Sequence, residues 1–194
     1  TFGLKTVSFK RWVEHLQAHG QSAALLQQLP YWQAQGLADA AQLPCDNPQG
    51  SLQNCHAQTV YTRLNSTLTR QLLQDTAVAY RTQINDLLLA ALARVICRWT
   101  GQGSTLIQLE GHGREELFEQ LDLTRTLGWF TSMFPVNLTP ADAIADSIKQ
   151  IKEQLRAVPD RGIGFGLLRY LGDEPTRQAL SQQAVPRITF NYLG

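Results

Sequence analysis

Long apolar runs, charge of one sign, methionine and paired cysteines are all scarce in this chain. No apolar stretch approaches the roughly 20 residues that span a bilayer, and the first residues carry no signal-peptide pattern, so a soluble protein is expected. Against 17 Lys and Arg stand 16 Asp and Glu, a formal net charge of +1. With no run of either sign, the electrostatic footprint for nucleic acid or an anionic membrane surface is missing. The 3 cysteines, Cys45, Cys55 and Cys97, have neither CxxC spacing nor the density of a disulfide framework, which favours a reducing, cytoplasmic compartment. Met133 is the only methionine. Without an initiator methionine, and with the strand-like RITFNYL running straight into Gly194, the chain reads as an excised piece of something longer.

The usual catalytic signatures are missing too. There is no GxSxG elbow and no HExxH. His15 and His19 stand four apart on a helix but lack a third ligand, so they read as a solvated pair. Cys55-His56 is a loop pair without a nearby base. Gly162, Gly164 and Gly166 alternate, with no strand before them, and do not fit the dinucleotide fingerprint. Asn65-Ser66-Thr67 is a glycosylation sequon that matters only in a secreted protein, and no repeat of 20 to 50 residues is visible. Nothing calls for a metal or a redox cofactor.

What is present is a chain of 194 residues with 43% apolar content, enough for the core of one domain or of one lobe. SFKRWVEHLQAHG predicts a helix with Phe9, Trp12, Val13 and Leu16 on one face, Ser8 as N-cap and Gly20 as its stop. A second helix is expected over Ser22 to Leu29, ending at Pro30. Gln35 to Ala57 loses its period and reads as a long linker, the best candidate for a lobe boundary. QTVYTRL has strand propensity, after which Ser66 is expected to cap a helix using Leu68, Leu72 and Leu73. Ile84 to Trp99 is apolar nearly all round and predicts a buried helix. In GWFTSMFPVNL, Pro135 points to an edge or bulged strand. Thr139 and Pro140 are expected to open an amphipathic helix carrying Ile144, Ile148, Ile151 and Leu155. Alternating helix and strand place the chain in the α/β or α+β class, with a mixed sheet.

The stretch STLIQLEGHGREE opens as a strand, so Gln108, Glu110 and His112 share one face while Ile107 and Leu109 point into a core. Such polar groups need water or a ligand. They are either hydrated residues at a strand end or a site, and Gly111 and Gly113, marking a bulge or close backbone approach, lean toward the site.

EGHGREE, TRTLGWFTSMFPVNL, IKEQLRAVPDRGIGFGLLRY and ITFNYLG resemble, in this order, the signatures of epimerization domains of nonribosomal peptide synthetases, within the condensation-domain superfamily. KTVSFKRWVEHLQAHGQSAALLQQLPYW is similar to the bridge between their two lobes, and YRTQINDLLLAALARVICRWTG to a helix of their second lobe. The resemblance covers nearly the whole chain. It implies a V-shaped pair of chloramphenicol-acetyltransferase-like lobes with a tunnel between them. Residues 1–57 would then be bridge and linker, and residues 58–194 a truncated second lobe with a mixed sheet flanked by helices.

The same resemblance implies inversion of the Cα stereocentre of an aminoacyl or peptidyl thioester, carried on the phosphopantetheine arm of a peptidyl carrier protein among neighbouring synthetase modules. No cofactor is bound directly. Glu110 is the implied acid/base, which asks for a dry, apolar setting to bring a carboxyl toward neutral pH. His112 would hold or orient it, Arg114 would pair with a carboxylate or shape the tunnel, and Trp129, Asn191 and Tyr192 would line or support the tunnel. Asn191 and Tyr192 are adjacent in a strand, so only one of them is expected to reach the chemistry. The purely structural role of hydrogen-bonding partners stays open for His112, Arg114 and Tyr192. The family's other acid/base, a histidine in an HHxxxDG motif of the first lobe, has no counterpart here, so the chain alone is expected to be inactive. The alternative is a condensing or non-catalytic relative that docks carrier proteins. An acyltransferase of the chloramphenicol type lacks support, because it needs the same missing motif.

Overall fold

The computed structural model describes residues 6–193, with the backbone alone at Ala77. Residues 1–5, the last of which (Lys5) is the first residue of the bridge-like segment, and Gly194, which closes the FNYLG stretch, lie outside the described residues. Helix α1 (Phe9–Gly20) starts as expected: the Ser8 side chain accepts from the Arg11 N–H at 3.2 Å, satisfying one of the donors a helix start leaves open. At its far end a Cβ on Gly20 would lie 2.9 Å from Leu171 Cβ, so glycine lets the helix end press against the chain at Leu171. The expected second helix is two helices, α2 (Ala23–Leu26) and α3 (Leu29–Gln35). Pro30 sits in the first turn of α3 instead of ending α2, where its missing N–H costs nothing. Helix α3 buries Trp32 completely, against the rings of Phe134 and Phe165.

The linker carries only two 3₁₀ turns, Asp39–Ala41 and Asn54–His56, and residues 44–68 are all exposed. QTVYTRL is not a strand. Val60 and Tyr61 are 93% and 86% exposed, because strand propensity is realised only against a pairing neighbour and this segment has none among the described residues. Asn65, not Ser66, caps the next helix, its Oδ1 accepting from Leu68 N at 2.9 Å. That helix runs as α4 (Ser66–Arg70), a π turn at Gln71–Asp75, and α5 (Thr76–Tyr80); Leu68 and Leu73 stay about half exposed.

Helix α6 (Ile84–Thr100) opens with a capping box between Gln83 and Asp86 and ends at Gly101 in the left-handed conformation. It buries Leu87, Leu89, Ala90 and Ala93, but Val95 and Trp99 face outward, so the helix is core on one side and not all round. Helix α7 (Ile144–Arg156) begins later than Thr139 and Pro140 predicted. The Gln154 side chain takes both the N–H and the carbonyl of Thr139, at 3.0 and 3.2 Å, and Arg94 donates to the carbonyls of Ala141 and Asp142. Those bonds tie residues 139–142 to other elements in place of a helical turn. Ile144 is consequently exposed, and Ser147 joins Ile151 on the buried face.

The sheet has three strands in the order β2-β1-β3. Strand β1 (Thr105–Gly111) pairs antiparallel with β2 (Ser132–Leu138) and parallel with β3 (Ile188–Phe190), the mixed sheet expected. Pro135 lies in edge strand β2, opposite Gln108, where a lost donor is tolerated. One face, built of Ile107, Leu109, Phe134 and Val136, packs on the buried sides of α3, α6, α7, α8 (Ile163–Leu171) and α9 (Glu174–Ser181) in a single core. On the other face Gln108 is partly buried, and Glu110, Met133 and Thr189 are exposed. That open face carries the candidate site.

Candidate active site

Register explains the central contact of the site. Leu109 of β1 stands beside Phe190 of β3, so the next residues, Glu110 and Asn191, also stand side by side and share a face. The Asn191 Nδ2 amide donates to Glu110 Oε2 at 2.7 Å, a short, charge-assisted bond. Asn191 is thus the member of the Asn191-Tyr192 pair that reaches Glu110, and Tyr192 beside it is 38% exposed. Glu110 itself is exposed, so the dry setting asked of it is not formed by the described residues.

His112 is not coupled to Glu110. Its Nδ1 accepts from the Arg114 N–H at 3.0 Å, and its Nε2 faces Glu115 Oε1 at 3.4 Å. Among the described residues Arg114 pairs with no carboxylate. Its guanidinium donates to the carbonyls of Leu123 and Thr126 at 2.7 and 2.9 Å and stacks 3.9 Å over Phe130, pinning the loop between β1 and β2. Of the bulge or close backbone approach expected at the two glycines, the structure shows the close approach: Gly111 continues the ladder opposite Ser132 without a bulge, and at Gly113, with φ of +68°, a Cβ would overlap the Phe130 carbonyl. Trp129 is 83% exposed.

Two features escaped the sequence reading. The first is Glu115, 9% exposed, whose Oε2 lies 3.6 Å from Arg161 Nε in the turn Pro159–Gly162. Its one signal was the second acidic residue of EGHGREE. The second is a groove of about 600 Å³ lined by Phe9, Trp12, Trp129, Met133, Phe165 and Tyr170 and reaching Gln108. It gathers residues from distant segments, which no local pattern reveals.

No three His, Cys, Asp or Glu side chains converge as a metal would need among the described residues, and His15 and His19 instead lie against the Phe118 ring. Among the same residues, no helix is long and apolar enough to cross a membrane.

A family model for the condensation domain matches residues 2–194. This chain belongs to the condensation-domain family. It is 47% identical over 98% of its length to a linear gramicidin synthase polypeptide of Brevibacillus parabrevis, and 41% identical over 98% to surfactin synthase subunit 1 of Bacillus subtilis (strain 168). It spans only 2% and 5% of those two proteins. Among solved structures, the epimerization domain from the third module of tyrocidine synthetase B superimposes with a TM-score of 0.88 at 38% identity, covering 100% of this chain and 44% of that one. The first condensation domain of the CDA synthetase shares the fold, with a TM-score of 0.64 at 18% identity, over 100% of this chain and 41% of that one.

Proposed function

We propose that this condensation-family chain is the inter-lobe bridge and much of the second lobe of an epimerization domain in a nonribosomal peptide synthetase. It would act on an aminoacyl or peptidyl thioester presented on the phosphopantetheine arm of a carrier protein in the cytoplasm, inverting the configuration at Cα. The observation that carries this reading is the likeness of the whole chain to an epimerization domain, at 38% identity and a TM-score of 0.88, against 18% and 0.64 for a condensation domain.

The chemistry follows from the thioester. Its carbonyl acidifies the α-proton, so a carboxylate removes that proton while the C–H electron pair passes into the carbonyl as an enolate. Return of a proton from an acid on the opposite face completes inversion, and a positioned acid or base contributes about 10²- to 10⁴-fold. The Asn191 amide engages Oε2 of Glu110 and leaves Oε1 to meet the proton. In this reading the second acid/base is the histidine of an HHxxxDG motif in a first lobe, so this chain alone would be inactive.

The test is α-proton exchange in deuterated buffer with a carrier-loaded aminoacyl thioester, in the two-lobed domain that contains this chain, with and without Glu110→Gln. Loss of exchange with unchanged circular dichroism supports the reading. Unchanged exchange returns Glu110 to a structural role. No exchange in the unaltered domain favours a condensing or carrier-docking relative.

A further inference from the structure

We infer that Glu115 is a positioning residue for Glu110, acting through the two backbone segments that flank it; this rests on Glu110 being the acid/base. Glu115 is one of the few charged side chains buried in the molecule, at 9% exposure. A carboxylate withdrawn from water needs partners, and its two oxygens face different pieces of chain.

Oε1 faces His112 Nε2 at 3.4 Å. The His112 Nδ1 accepts the Arg114 N–H at 3.0 Å, so in the neutral ring the proton resides on Nε2, the nitrogen nearer Glu115. That contact fixes the chain two residues beyond Glu110. Oε2 faces Arg161 Nε at 3.6 Å. Arg161 belongs to a turn in which Asp160 and Arg161 have φ of 44° and 51°, a backbone state that L residues hold only under restraint. This turn lies against Gly111, beside Glu110: a Cβ on Gly111 would sit 3.5 Å from the Arg161 carbonyl oxygen. One buried carboxylate therefore clamps the turn and the end of β1 together, with Glu110 at their junction.

The test uses the two-lobed domain and carrier-loaded substrate, comparing Glu110→Gln, Glu115→Gln, Arg161→Met and Arg161→Lys. Glu115→Gln and Arg161→Met are expected to lower the exchange rate at saturating substrate about 10- to 100-fold, the scale of an ångström-sized misplacement, with KM unchanged. Arg161→Lys restores most of that rate, since the contact is a single ionic one. If Glu115→Gln fails to fold, Arg161→Met decides, because the Arg161 side chain is 78% exposed. Exchange that survives Glu110→Gln removes the acid/base reading and this inference with it. Exchange abolished by Glu110→Gln but kept by a folded Glu115→Gln or by Arg161→Met overturns the positioning role alone, as does a loss seen only in KM.

Discussion

The Asn191 side-chain amide donates to Glu110 Oε2 at 2.7 Å across the parallel seam between β1 and the end of β3. Both residues are exposed, so the bond orients a carboxylate without burying it. Asn191→Ala is therefore expected to lower the exchange rate about 10- to 100-fold through misorientation. The fold should barely notice: an exposed hydrogen bond contributes about 1 kcal/mol, roughly 2 to 4 °C in melting temperature for a chain of this size. Exchange kinetics beside a thermal melt separate the two effects.

Two glycines near the site make opposite predictions. Gly113, with φ of +68° and the Phe130 carbonyl where a Cβ would go, forbids a side chain. Gly113→Ala is expected to cost roughly 3 kcal/mol or more, the upper end of left-handed strain before the overlap is counted. Gly166 lies within α8, and a Cβ there meets nothing within 4 Å. Gly166→Ala should stabilise by about 0.5 to 1 kcal/mol, the entropy and propensity gain of alanine in a helix. Urea midpoints for the two variants, moving in opposite directions, check both.

That pair also illustrates what could be read from the chain. Gly162, Gly164 and Gly166 looked alike as an alternating motif, yet Gly162 sits at φ +91° against Phe134 while Gly166 faces open space. Periodicity and caps are local properties, which is why α1 with Ser8, β1 with its inward Ile107 and Leu109, and the edge placement of Pro135 agree with the sequence. Elements that depend on distant partners were less legible. The start of α7 is displaced by Gln154 and Arg94, and QTVYTRL has no pairing neighbour among the described residues. At the site, motif resemblance singled out Glu110 and Asn191, and register joins them. The Glu115–Arg161 contact depends on a turn 46 positions away in sequence, and no spacing rule connects the two.

The cysteines give a simple probe of the core. Cys45 and Cys55 are exposed, while Cys97 is buried in α6 and burial pushes its thiol pKa up, which lowers its thiolate fraction. A disulfide-exchange reagent at neutral pH is expected to titrate two thiols promptly in the native chain. The third should react only as denaturant unfolds it. Prompt reaction of all three would mean that α6 opens readily.

Asp86 sets a pH dependence whose sign follows from its surroundings. Burial, the largest influence, pushes its carboxyl pKa above the ordinary value, and the Gln83 N–H, Arg156 and Lys152 pull it back only in part. A folded pKa above the unfolded value of about 3.9 means that the folded state holds the proton more tightly. Its contribution to stability is therefore fully present below about pH 4 and is lost as pH rises through the folded value. Asp86→Asn retains an acceptor for the Gln83 N–H, which Asp86 Oδ2 now meets at 2.8 Å, and cannot ionise. Relative to the unaltered chain, the variant should gain stability between pH 4 and pH 7, read from urea midpoints at both values. A relative loss over that interval would mean that the charged cap at the start of α6, with its favourable place at a helix N-terminus, outweighs the cost of burying it.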